Sequence, residues 1–212
     1  MFNRRKKNDD VTTLGAQPAA DEAPAAPAQP APPRPLDISE VDLEDGTPRV
    51  DLGGLVLVQV EGFELRMQVE EATGQVQSVL FAAEEGALEV RAFAASRGDS
   101  MWDEIRPQIA ADAAKRGGTA TEAPGRFGPE LVCRVPAALP DGTQVLQETR
   151  IVGIDGPRWF VRGTFIGAPV RDDLVRGPYD DALASLVVRR GAGAMAPGDP
   201  LPLTVPGNAR RA

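Results

Sequence analysis

The stretch FELRMQVE, residues 63–70, sets Phe63, Leu65, Met67 and Val69 on one parity and Glu64, Arg66, Gln68 and Glu70 on the other. Side chains alternate across a pleated strand, so this segment reads as a strand with one face in a core and one in water. Before it, across Gly62, LVLVQVE at residues 55–61 reads as another strand. After it, Thr73-Gly74 offers a tight turn into QVQSVLFAA, and Glu85-Gly86 a second turn into ALEVRAFAA. Connections this short join antiparallel neighbours, so the opening of the domain is expected to be a meander.

In SMWDEIRPQIAADAAKRGG the period lengthens from two to nearly four. Trp102, Ile105, Ile109 and Ala113 form one apolar stripe, Ser100 stands where a helix cap belongs, and Lys115, Arg116 and Gly117 suit the helix end. Pro107 lacks the amide that would close an interior helical bond, so a bent or reset first turn is expected. The stripe should cover the apolar face of the sheet.

Further strands follow in TATEA, PELVCRVPA, VLQETRIVGI and RWFVRGTFIG, with turns at Gly142 and at Asp155-Gly156-Pro157. The mixed parity of VLQETRIVGI points to a change of edge or register at Gly153. A second helix is expected in PVRDDLVRGPYDDALASLVVRRG, with Pro178 in its first turn, Asp180 and Asp181 near its positive end, and Leu183, Leu186 and Val187 toward the sheet. The fold class is α+β: one mainly antiparallel β-sheet with two principal packed helices. Strand–helix alternation of the Rossmann kind is absent.

Residues 51–206 should form a single domain, closed by an extended arm carrying Leu201, Leu203 and Val205. Residues 1–50 read as a disordered lead, first basic, then Ala/Pro-rich, then acidic, in which Leu36, Ile38, Val41 and Leu43 could lay a short arm on the domain. Residues 207–212 read as a flexible end.

Composition excludes several chemistries. There is no histidine and one cysteine, Cys133, so Ser-His-Asp and Cys-His catalysis, a disulfide and an ordinary zinc site cannot be built within the chain. In ELVCRV, Cys133 shares parity with Leu131 and Val135 and reads as a small buried side chain. A net charge of -8 repels a nucleic-acid backbone unless a local basic patch reverses the field. The Gly-rich pieces DLGGL and RGAGAMAPGD lack the residues of a phosphate loop, and no cofactor is implied. No apolar run approaches the roughly 18 residues of a membrane span, and the basic opening at Arg4, Arg5, Lys6 and Lys7 is not followed by a signal-peptide core.

What remains is a binding or accessory domain without a recognisable catalytic motif, its partner an unidentified protein. Trp102, Arg158, Trp159, Phe160 and Arg162 are the candidate interaction residues, since Trp and Arg supply large contacts and directed hydrogen bonds. For Trp102 and Trp159 the reading as core residues is the stronger one. A small-molecule or enzymatic pocket is one alternative; a single-stranded RNA-binding sheet is another, because alternation sets Arg158, Phe160 and Arg162 on one face. Homo-oligomerisation through an unprotected sheet edge stays open.

The run VQVEGFELRMQVEEATGQVQSVLFAAEEGALEVRAFAASRGDSMWDEIRPQI, followed by IVGIDGPRWFVRG and PLPLTVP, resembles actinobacterial proteins of the domain-of-unknown-function 3710 family. The likeness spans residues 36–206. It implies a cytoplasmic bacterial protein with a variable charged and Pro/Ala-rich beginning, and it carries over no catalytic residue or ligand.

Overall fold

A computed structural model describes residues 33–206; the basic and Ala/Pro-rich opening and the end from residue 207 lie outside the described residues. In order, the chain forms β1 (Leu36–Asp37), β2 (Arg49–Asp51), β3 (Leu55–Val58), β4 (Glu64–Val69), β5 (Val76–Ala83), β6 (Gly86–Ala94) and α1 (Met101–Lys115). It continues with β7 (Thr119–Gly125), β8 (Gly128–Ala138), β9 (Gln144–Asp155), β10 (Trp159–Gly167), α2 (Asp173–Ala184) and β11 (Val187–Val188). The architecture is α+β, predominantly antiparallel, with two main helices.

A seven-stranded antiparallel sheet in the order β4-β5-β6-β10-β9-β8-β7 is the frame. β4, β5 and β6 make the expected meander through the turns at Gly74 and at Glu85-Gly86. β3 does not join it. It belongs to a second, four-stranded sheet ordered β1-β11-β3-β2, whose β1–β11 pair is parallel. The reason is visible in LVLV: Leu55, Val56 and Leu57 are all buried, and a strand apolar on both faces needs cover on both. The single sheet read from the sequence is therefore two.

Residues 36–51, assigned above largely to the lead, are part of the fold. Leu36 donates its amide to Leu186 at 2.9 Å, and the Asp37 carboxylate accepts the indole N–H of Trp159 at 2.9 Å. Burial pushes the Asp37 pKa up, but hydrogen bonds from Ser39 and from Trp159 hold it below the usual aspartate value. The closing arm is spliced into both sheets. Leu201 donates to Ala92 of β6 at 2.9 Å and Thr204 to Leu52 at 2.9 Å, and Leu201 and Leu203 are buried.

The helices sit on opposite faces of the large sheet. α1 packs on β7, β8 and β9. Its cap is Ser100, whose Oγ accepts from the Asp103 amide at 3.1 Å. Asp155 at the end of β9 accepts from Met101 N–H and Ser100 O–H, both at 2.9 Å, so a distant carboxylate completes the helix start. The helix runs unbroken through Pro107. α2 and the small sheet share the core on the other face. α2 starts earlier than expected: Asp172 caps it by accepting from Leu174 at 2.9 Å. Pro178 consequently lies inside the helix, and Asp180 and Asp181 lie away from its positive end. The earlier aspartate prevails because it has free amides to receive it.

Candidate functional site

Strand register brings two groups of side chains together on the α1 face. Under α1 lie Leu131, Cys133, Phe160 and Trp102, all at most 4% exposed. Trp102 stacks toward Phe160, with ring centroids 6.3 Å apart, and its indole donates to Pro129 O at 2.7 Å. The ring occupies the space of a missing side chain: a Cβ on Gly153 would lie 2.3 Å from it. Gly153, read above as a register change, sits in a continuous β9, and its absent Cβ is the seat of Trp102. Burial pushes the Cys133 thiol pKa up, which keeps it protonated and inert.

Beyond the edge of α1 no described helix or strand covers the same face over β4, β5, β6 and β10. Alternate residues of β6 and β10 are sealed below, including Leu88, Val90, Val161 and Phe165. Their neighbours Glu89, Arg91, Phe93, Arg162 and Thr164 are half-buried and face outward. Pairing sets Arg91 directly opposite Arg162, Glu89 opposite Thr164 and Phe93 opposite Phe160. Arg91 is held by Glu89 at 2.8 Å. Among the described residues no carboxylate pairs with Arg162, whose guanidinium lies 5.9 Å from the ring centroid of Phe93. Burial and then the charge of Arg91 push the Arg162 pKa down, with Glu89 opposing them. Like charges opposite each other on one face repel, so this patch is a two-arginine, one-carboxylate site with an aromatic floor.

Of the residues selected from sequence, Arg162 belongs to this patch. Trp159 and Phe160 are fully buried on opposite faces of β10, and Trp102 is buried beneath its helix. Arg158 precedes β10, and its carbonyl accepts from Ala95 at 2.9 Å. The grouping of Arg158, Phe160 and Arg162 on one exposed face is not what forms, because α1 covers Phe160. Sequence reasoning missed Arg91, Phe93 and Glu89 as site residues. ALEVRAFAA signals that they share a face, but nothing local says which distant strand they meet.

A second polar cluster lies beneath α2. Glu130 on β8 is 0% exposed and ion-paired with Arg150, which also donates to Pro124 O at 2.8 Å. On α2, Arg176 bridges Asp173 at 2.8 Å and Asp180 at 3.4 Å. Burial raises the Asp180 pKa, Arg176 lowers it and Glu130 raises it; the net direction is up. The Glu130 carboxylate occupies the space a side chain on Gly125 would need. The pairs run within the helix and within the sheet, and Glu130 and Asp180 are buried, so the cluster offers a substrate no entry.

Two hollows are lined by described residues. One of about 460 Å³ beside the β7–β8 turn is wide open and lined by Glu122, Ala123, Pro124, Gly125, Gly128 and Pro129. Another of about 150 Å³, between the small sheet and β4, is lined by Val50, Leu57, Phe63 and Phe81 among other apolar groups. Neither gathers the convergent polar groups of a catalytic pocket. Among the described residues no set of three acidic or sulfur ligands is placed to hold a metal ion, and no helix is long and apolar enough to cross a membrane.

No curated protein matches the chain. Among solved structures, the cyanobacterial PsbP (CyanoP) from Synechocystis sp. PCC 6803 aligns over 66% of this chain and 91% of that chain, at 12% identity and a TM-score of 0.35. A family model matches residues 34–212, and the chain therefore belongs to the family described as protein of unknown function, DUF3710.

Proposed function

We propose that this is a non-enzymatic binding or accessory domain that holds an acidic segment of a partner protein on the open half of its large sheet. The observation that carries the reading is the facing pair Arg91 and Arg162, with Glu89 pairing Arg91 alone and Phe93 alongside. A carboxylate from outside would relieve the repulsion, and Phe93 would pack the apolar part of the same segment. The proposal places the domain in the cytoplasm, where its single thiol stays reduced.

A protein is favoured over RNA by the rest of the patch. Phe160 lies under α1, so Phe93 is left without the second stacking ring a single strand would use. Glu64 and Glu89 stand on the same face, and the chain carries a net charge of -8. A small molecule is disfavoured because the patch is a pleated surface and neither hollow adjoins it.

The test is a photo-crosslinking amino acid at Thr164, opposite Glu89 and two residues from Arg162, with the same group at exposed Ala111 on α1 as control. In native cells the Thr164 probe should trap one protein, and mapping should place the adduct in an acidic segment. Arg91→Glu with Arg162→Glu should abolish that adduct. Equal trapping from Ala111, adducts to RNA, or adducts indifferent to the charge reversal each sink the proposal.

A further inference from the structure

We infer that β9 offers a self-complementary edge through which two copies of this chain pair, with Leu146 on the two-fold axis. β7 reaches β8 no further than Arg134, and β10 reaches β9 no further than Thr149. Residues 135–148 therefore project as a two-stranded ribbon beyond the sheet, closed by the turn at Gly142. Over residues 135–147 that ribbon carries one charge, Asp141. Leu146 is 60% exposed and Leu139 is 45% exposed. Unpaired strand edges bearing apolar side chains are templates for another strand unless blunted.

One of the two edges is blunted. Pro136 pairs with Leu146 but has no N–H to give the ladder, so this is a pair whose main-chain groups point outward on both strands. The outer edge of β8 thereby loses a donor at Pro136. The outer edge of β9 gains one at Leu146, and residues 144–148 contain no proline, lysine or glycine to obstruct pairing. Beyond β8, residues 144–147 pair with no other described strand, whereas Glu148 adjoins the last β9–β10 pair, Thr149 with Ile166.

The occupant that fits is the same edge inverted. A two-fold axis through Leu146 sets Leu146 against itself and Val145 against Gln147, a short pairing that ends where β10 begins beside Glu148 and that opposes no charges. Glu148, the charge at the end of this short edge, is already held by Arg134 at 2.7 Å and by Arg171. An outward-pointing residue on the axis is required for such a pair to exchange both of its hydrogen bonds, and Pro136 is what makes Leu146 that residue.

The full chain should sediment as a dimer that dissociates on dilution. Residues facing each other across such a pair have Cα atoms about 5.5 Å apart, within disulfide reach. Leu146→Cys should therefore cross-link two copies under mild oxidant, whereas Gln144→Cys should not; native Cys133 is buried and does not compete. Leu146→Pro removes the outward amide and should leave a monomer. Should that variant fail to fold, Leu146→Lys, which keeps the amide and opposes two charges on the axis, gives the same reading. A wild-type monomer at all concentrations overturns the inference, as does a dimer that survives Leu146→Lys or a cross-link equally efficient from residue 144.

Discussion

One sheet face has two fates. Over β7, β8 and β9 it is dry: Leu131, Cys133, Phe160 and Trp102 exclude water beneath α1. Over β4, β5, β6 and β10 it carries Arg66, Glu89, Arg91 and Arg162. Both halves use the same alternation, and β10 contributes to both, with Phe160 on the dry side and Arg162 two residues on at the border. What separates them is the reach of α1. That reach is set by where Trp102 can sit, which is on Gly153, the residue paired with Arg162. The lesson is that exposure of the candidate site follows from a packing event beside it.

Trp102→Ala attacks the dry half most directly and should cost about 4 kcal/mol, the usual range for emptying a buried indole site. Urea unfolding measures it, and Cys133 should become reactive to thiol reagents under native conditions as α1 loosens. Gly153→Ala should cost about 2 kcal/mol, because its methyl competes with the indole for one space. In the Trp102→Ala background the same change should cost almost nothing; equal costs in both backgrounds would mean that the glycine serves the backbone and not the ring.

The α2 face sharpens the contrast, since it buries charge. The fold holds Asp180 above its ordinary pKa, so the folded state binds the proton more tightly than the unfolded chain does. The resulting contribution is fully present below the ordinary aspartate value and is lost as pH rises through the raised one. Asp180→Asn should flatten this dependence, gaining stability over the wild type at neutral pH and matching it in acid; thermal unfolding across that range is the check. Smallest of all, Arg162→Gln on the open half should move stability by less than about 0.5 kcal/mol while weakening partner capture. A large loss of stability would make Arg162 part of the scaffold.

Much of this was legible locally. Ser100 capped the helix it was expected to cap, and the Gly74 and Gly86 turns joined the strands they were expected to join. Other signals were present but ambiguous. Gly153 announced something unusual without saying that the reason was an indole 51 positions earlier in the chain. Pro178 suggested a helix start, yet Asp172 supplied the better cap. LVLV carried the mark of a strand buried on both faces, which alternation in the next strand obscured.

The sequence by itself determined the elements, the α+β class and the chemistry the chain cannot perform, because period, caps, turns and composition act within a few residues. The tertiary structure alone decided that β3 leaves the meander, that Glu130 meets Arg150, that α1 stops short of β10's outer half and that Arg91 faces Arg162. Those outcomes depend on pairing between strands far apart in the chain, where a shift of one residue would turn every side chain to the other face. Only the simultaneous burial of both sheets and both helices selects among such registers.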